Sequence, residues 1–201
     1  MAVNLAVPSP EAIYAVNGVT IGITAAGIRK KDRPDLTVFR LAPGTAVAGV
    51  FTTNRFRAAP VIICEQHLAT DKPIEALVIN TGNANAGTGE RGMADTHRMC
   101  TSTAQALGID EQSVLPFSTG VILEPLPIER IEAAIPQAVN ALAAHRWFDA
   151  AHSIMTTDTQ PKIYSTKVKI NNKMITITGI SKGAGMIRPN MATMLGYLAT
   201  D

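Results

Sequence analysis

The sequence predicts a mixed fold, α/β or α+β, and three observations carry that expectation. Short stretches of alternating β-branched and small residues recur between positions 19 and 180. Among them lie two longer stretches with the period of a helix. Breaks rich in Gly, Pro and Asn separate the two kinds of segment and never gather into a linker, so strands and helices interleave within one unit.

Residues 19–26 (VTIGITAA) alternate as a strand does, and 36–41 (LTVFRL) and 45–52 (TAVAGVFT) read as two more around a Pro43-Gly44 turn. Residues 59–64 continue the β pattern. A short apolar run at 75–80 (EALVIN) stops at a loop rich in Gly and Asn, 81–92. The period then changes: 93–107 predicts a helix that Gly108 is placed to end. Residues 114–117 are again strand-like, stopping at Ser118-Thr119-Gly120. The clearest amphipathic helix is 128–144, where Ile128, Ile131, Ile135, Val139 and Leu142 share one face and Pro136 predicts a kink or a second start. Residues 162–171 and 173–180 largely alternate, and Asn171-Asn172 between them predicts a hairpin. A second Gly-rich loop, 181–189, leads to a final apolar segment.

Composition bounds the function classes. The chain has 201 residues, 46% hydrophobic and 17% charged, which suits a globular protein with a large buried interior. A formal net charge of +2, with scattered Lys and Arg, argues against nucleic acid or an anionic membrane as partner. The two cysteines, Cys64 and Cys100, are expected to be free buried thiols in a reducing compartment. The first eighteen residues lack a basic stretch followed by an apolar one, and no apolar run reaches the ~18 residues of a membrane span, so a cytoplasmic protein is expected.

Three loops follow strands and are rich in Gly or hydroxyl residues. The loop 80–89 (NTGNANAGTG) leads into a helix. It could cradle an anion on its backbone amides, or be a turn network in which Asn side chains bond the backbone. It has neither the Gly-Lys-Ser/Thr ending of a P-loop nor the dinucleotide-binding fingerprint. Thr119-Gly120, at a strand end, could offer a hydroxyl and amides to an oxyanion. Lys182, among glycines, could reach a substrate carboxylate. Met155-Thr156-Thr157-Asp158 adds two hydroxyls that alone would read as a cap or turn. His67, His97, His145 and His152 lack metal-site spacing, and no Ser sits in a nucleophile elbow. A Thr nucleophile would need a base, and its own α-amino group can serve once the chain is cut before it. That amine has an unperturbed pKa of about 7.7–8, so a useful fraction is neutral near pH 7.

Five motifs taken together, NTGNANAGTGERG (80–92), FSTGVI (117–122), MTTDTQPK (155–162), KGAGMI (182–187) and PNMATMLGYLATD (189–201), resemble the N-terminal half of the glutamate N-acetyltransferase / ornithine acetyltransferase family of arginine biosynthesis. The resemblance runs along essentially the whole chain, with every motif in order. It implies sheets layered between helices in the aminopeptidase–ornithine acetyltransferase superfamily, with an N-terminal-nucleophile-like arrangement. It also implies self-cleavage between Ala192 and Thr193, so that residues 1–192 are an α chain and 193–201 begin a β chain. Thr193 would then be the nucleophile, Thr119 and Gly120 the oxyanion hole, and Thr156, Lys182 and Thr193 the substrate contacts.

The implied reaction is a ping-pong transfer of acetyl from N-acetylornithine to glutamate through an acyl-enzyme on Thr193. Bifunctional members also take acetyl from acetyl-CoA, as substrate and not as a resident cofactor, and no metal is implied. Family members are about twice this long, and two α and two β chains are expected to assemble. Leu195, Tyr197 and Leu198 are expected to begin a buried strand. Where the family has Ala-Cys in the first loop, this chain has Ala86-Gly87. Two alternatives remain: an aminopeptidase-like amide hydrolase with water as acceptor, and a non-enzymatic phosphate- or nucleotide-binding domain.

Overall fold

The computed structural model describes residue 6 and residues 8–183 and 194–201. Four strands form the first sheet, β1 (Val19–Thr24), β2 (Leu36–Leu41), β3 (Ala76–Asn83) and β4 (Val114–Val121), in that spatial order. The first two pairings are antiparallel. β3 and β4 are parallel, because α2 (Gly89–Leu107) provides the crossover that parallel strands need. The second sheet is the antiparallel β5 (Lys162–Ile170), β6 (Lys173–Ser181) and β7 (Gly196–Thr200). The remaining helices are α1 (Ala59–Leu68), α3 (Ile128–Asn140) and α4 (Trp147–Ser153).

The period-2 alternation of the first sheet sorts its side chains onto two faces. Leu36, Val38, Ala76 and Val78 meet Met99, Cys100 and Ala104 of α2 and Ile128, Ile131 and Ile135 of α3. Phe39, Leu41 and Ile79 face the other way, onto Trp147, Ala150 and Ile154 and onto Ile180 of the second sheet. Helices, first sheet, and then α4 with the second sheet thus form successive layers. α3 approaches β1 so closely that a Cβ on Gly22 would lie 1.9 Å from the Ala138 carbonyl oxygen, so only glycine fits there. Between the sheets, Tyr197 stacks on Phe39 at 5.7 Å and meets Phe117 edge-on at 5.1 Å.

Most predicted elements are present, including the hairpin, where Asn171 and Asn172 both take positive φ (47° and 63°). Gly108 caps α2 as expected. Other expectations are corrected. Residues 45–52 form no strand: Val50 is 81% exposed, and among the described residues the segment has no ladder partner, with Val47 and Phe51 packed against the core. Residues 59–64 belong to a helix, with Pro60 in the first turn, where its missing amide costs nothing, and Ile63, Cys64 and His67 buried on one face. One helix runs through Pro136, and it stops at Asn140 rather than reaching residue 144. Strand β4 continues through Ser118, Thr119 and Gly120. In β7 the alternation leaves Leu198 77% exposed while Leu195 and Tyr197 pack inward.

Candidate active site

Three hydroxyl or amine side chains far apart in sequence converge at the C-terminal end of the parallel pair β3–β4. Thr119 lies near the end of β4, paired in register with Thr81 of β3. Thr156 follows α4, and Lys182 directly follows β6. The Lys182 ammonium donates to Thr119 Oγ1 at 2.9 Å and to Thr156 Oγ1 at 2.8 Å. Lys182 is 5% exposed and Thr119 3% exposed. The Lys182 amide also donates to the Leu195 carbonyl at 3.0 Å, joining the end of β6 to the start of the last strand.

This cation is costly to hold. Burial pushes the Lys182 amine below its ordinary range; the Asp158 charge works against that shift and the Lys162 charge adds to it. Among the described residues no carboxylate lies within ion-pair distance of its Nζ. A buried ammonium bonded only to neutral oxygens is a site for an anion, because a carboxylate arriving there supplies the missing counter-charge.

Gly120 adjoins Thr119 with φ +137°, a conformation closed to other residues. A Cβ there would lie 2.2 Å from the Gly82 carbonyl carbon and 2.5 Å from the Asn83 amide nitrogen, so the pair also depends on close backbone approach. The first Asn-rich loop follows the structural of its two expected readings. Asn80 donates to the Asn83 carbonyl, and Asn83 to the Glu124 and Pro125 carbonyls. Asn85 donates to the Gly92 carbonyl and Thr96 Oγ1. All three asparagines are buried, at 4% exposure or less. These side chains hold the loop beside Thr119, and Ser118 Oγ adds a bond to Asn80 Oδ1 at 2.5 Å.

Of the predicted site residues, the fold therefore brings together Thr119, Gly120, Thr156 and Lys182. Ala192 and Thr193, the predicted cleavage pair and nucleophile, lie outside the described residues. Sequence reasoning missed Asp158. Its side chain is 1% exposed and accepts from Lys162 Nζ, from the Gly183 amide at 2.6 Å and from the Thr156 amide at 3.3 Å. Burial works to raise its pKa, but Lys162 and the two amides prevail and hold the carboxyl below the usual range. It ties down Thr156, one partner of the Lys182 ammonium, and Gly183, the residue that follows Lys182. The signal was present, since an Asp two residues after Thr156 can bond its backbone amide.

The fold also gathers His67, His97 and Glu111, which no sequence spacing links, at the other end of β4. Cys64 and Cys100 are free and buried, as expected. Among the described residues, no helix is long and apolar enough to cross a membrane.

A family model described as the ArgJ family matches residues 20–201. The arginine biosynthesis bifunctional protein ArgJ of Colwellia psychrerythraea is 51% identical over all of this chain and 50% of its own length. The chain thus spans about half the length of that curated relative. Among solved structures, the ArgJ protein of Bacillus halodurans is 34% identical, with a TM-score of 0.78 over 88% of this chain and 92% of that one. Ornithine acetyltransferase of Mycobacterium tuberculosis, solved with ornithine, is 32% identical, with a TM-score of 0.79 over 96% of this chain and 99% of that one.

Proposed function

The chain belongs to the ArgJ family, and on that premise we propose that the protein transfers acetyl from N-acetylornithine to glutamate through an acyl-enzyme on Thr193. The observation that carries this reading is the buried Lys182 ammonium, bonded to Thr119 and Thr156. N-acetylornithine and glutamate share an α-carboxylate, and Lys182 is the cation that would hold it in both half-reactions. Because Lys182 occupies the Thr119 oxygen as donor, the Thr119 hydroxyl hydrogen is free to point at a developing oxyanion, joined by the backbone at Gly120.

In this mechanism the bond between Ala192 and Thr193 is cut first, exposing the Thr193 amine as general base. Thr193 Oγ attacks the acetyl carbonyl, and the tetrahedral oxyanion forms against Thr119 and Gly120. Collapse expels ornithine, which takes the proton held by the amine. The glutamate α-amine then attacks the acetyl ester, giving up a proton to the Thr193 amine, which passes it to Thr193 Oγ as the ester C–O bond breaks and N-acetylglutamate leaves. No resident cofactor or metal enters these steps. Acetyl-CoA as a second donor would use the same ester.

The rest of a family-length protein would serve as the partner β chain in an assembly of two α and two β chains. Its seat would include the outer face of the second sheet, where Tyr164, Val168, Ile170 and Leu198 are exposed. The free thiols suit a cytoplasmic setting. The test is a full-length protein assayed on N-acetylornithine with and without glutamate, with intact mass measured in parallel. Two fragments split before Thr193 and glutamate-dependent turnover support the reading. Acetate release at one rate regardless of glutamate indicates a hydrolase, and cleavage and transfer that persist in Thr193→Ala overturn the nucleophile.

A further inference from the structure

We propose that His67, His97 and Glu111 form a binding site for one divalent transition-metal ion of the zinc type, separate from the acetyl-transfer site. His67 stands in the last turn of α1, His97 in the middle of α2, and Glu111 in the 3-10 turn Glu111–Ser113 that leads into β4. One ligating atom from each lies within 4.8 Å of those of the other two. Two imidazoles and a carboxylate are a donor set that zinc accepts with a water in the fourth position, whereas Mg²⁺ and Ca²⁺ favour oxygen alone.

Two of the three ligands, His67 and Glu111, are already oriented by a second group. His67, 4% exposed, has Nδ1 at 2.7 Å from the Val114 carbonyl. A carbonyl can only accept, so Nδ1 carries the hydrogen and Nε2 keeps the lone pair that a metal needs. Glu111 has its two oxygens divided: Thr101 Oγ1 lies 3.0 Å from Oε2, while Oε1 faces His97 Nδ1 at 2.9 Å. Ligand atoms on one tetrahedral zinc sit roughly 3.3 Å apart, given bonds of about 2.0–2.2 Å. The His97–Glu111 spacing is near that already, and the proton shared there is the one that an incoming cation displaces. The remaining separations, up to 4.8 Å, would close by movement of the His97 and Glu111 side chains, which are 48% and 37% exposed.

The site would clamp α1 and α2 to the start of β4. Val114, bonded to His67, is the first residue of that strand, and Thr119 is five residues on, roughly 16 Å at strand rise. The ion is therefore a structural tie for the strand that carries Thr119, not a reactant.

The experiment is calorimetric titration of Zn²⁺ into full-length protein freed of metal with EDTA, with thermal unfolding measured alongside. The expected result is one ion per chain at micromolar affinity or tighter, a Tm rise of several degrees, and a visible Co²⁺ absorption band of tetrahedral intensity. His97→Gln and Glu111→Gln each weaken binding by at least 10-fold and abolish the Tm rise, and Thr101→Val weakens it by about 10-fold as an orienting contact is lost. His67→Ala should abolish binding; if it does not fold, the two exposed variants decide. Mg²⁺ at millimolar concentration should give no shift. Absence of saturable Zn²⁺ binding, or unchanged affinity in both His97→Gln and Glu111→Gln, overturns the proposal.

Discussion

The Nζ of Lys182 lies 2.9 Å from Oγ1 of Thr119, although 63 residues separate them in sequence. The contact joins the two sheets, since Thr119 is in β4 and Lys182 follows β6. In the proposed reaction it makes one unit of carboxylate recognition and oxyanion stabilisation. Thr119→Val keeps the side-chain shape and removes the hydroxyl, so kcat should fall by about 10²–10³-fold, the usual loss for one oxyanion donor. KM should change less, and Thr119→Ser should restore most of the rate. Steady-state assay of the full-length protein decides; a loss confined to KM would assign Thr119 to binding only.

The cost of burying Lys182 should be visible as pH dependence. Its folded-state pKa is lowered from 10.5 by burial, so the folded protein releases this proton before the unfolded chain does. Between that lowered value and 10.5 the unfolded state binds more protons, and stability rises with pH. Relative to Lys182→Met, the parent should gain stability as pH is raised toward 10.5. Paired thermal unfolding at neutral and alkaline pH measures the difference, and a flat difference would mean that the ammonium is not desolvated.

How much of this was legible in sequence depended on whether the governing contact was local. The hairpin at Asn171-Asn172, the α2 cap at Gly108 and the face of α3 are set by neighbours within a few residues, and all were readable. Residues 59–64 misled because Val61, Ile62 and Ile63 favour strands, while burial of Ile63, Cys64 and His67 on one helix face outweighs that preference. Residues 45–52 misled because alternation alone cannot supply a ladder partner. At the site, Thr119, Thr156 and Lys182 were each weak signals in isolation. Their convergence is a property of β4, the segment after α4 and the end of β6 meeting at one place. Asp158 went unread because its local partners, Thr156 and Lys162, read alone as a turn, and its bond to the Gly183 amide, which links it to the site, is set by tertiary structure.

Asp158 acts as a positioning residue in the proposed reaction. Asp158→Asn keeps one acceptor oxygen, enough for the Gly183 amide, but places an NH2 where Oδ2 accepts from the Thr156 amide and removes the charge that favours the Lys182 ammonium. Transfer activity should drop by about 10²-fold, the scale of a small misplacement of a binding group. Its folded pKa is lowered from 3.8, so its stabilising contribution is fully present above 3.8 and is lost as pH falls through the lower, folded value. The stability gap between parent and Asp158→Asn should therefore be constant near neutrality and close only below pH 3.8. A gap that closes near pH 6 would implicate another group.

Cys64 and Cys100 should behave as core atoms. Burial raises both thiols well above their ordinary range, with the Glu65 charge adding for Cys64 and the Cys64 and Glu111 charges for Cys100. Native protein should resist iodoacetamide at Cys64 and Cys100 at pH 8 for hours, and the same protein in guanidinium should be labelled at both within minutes. Mass spectrometry counts the labels, and rapid labelling of the native state would show that these helices open readily.

Gly120 offers a direct test of how the site depends on its backbone. In Gly120→Ala the new methyl would overlap the Gly82 carbonyl carbon, which lies 2.2 Å from the ideal Cβ position, and φ +137° is unfavourable for any residue with a Cβ. Neither neighbour is a flexible side chain that could swing aside: both contacts are backbone of β3, held by the parallel ladder to β4. The strand pair must separate or β4 must rotate, and either movement carries Thr119 away from Lys182. Combined strain and overpacking should cost about 2–5 kcal/mol. For a chain of this size that is a Tm fall of roughly 5–15 °C. Activity should be lost even at temperatures where the variant remains folded, because the proposed oxyanion geometry at Thr119 and Gly120 is displaced along with the strand. Thermal unfolding and assay at 10 °C report the two effects separately. A variant with parental Tm would show that β3 and β4 are not packed this closely at Gly120.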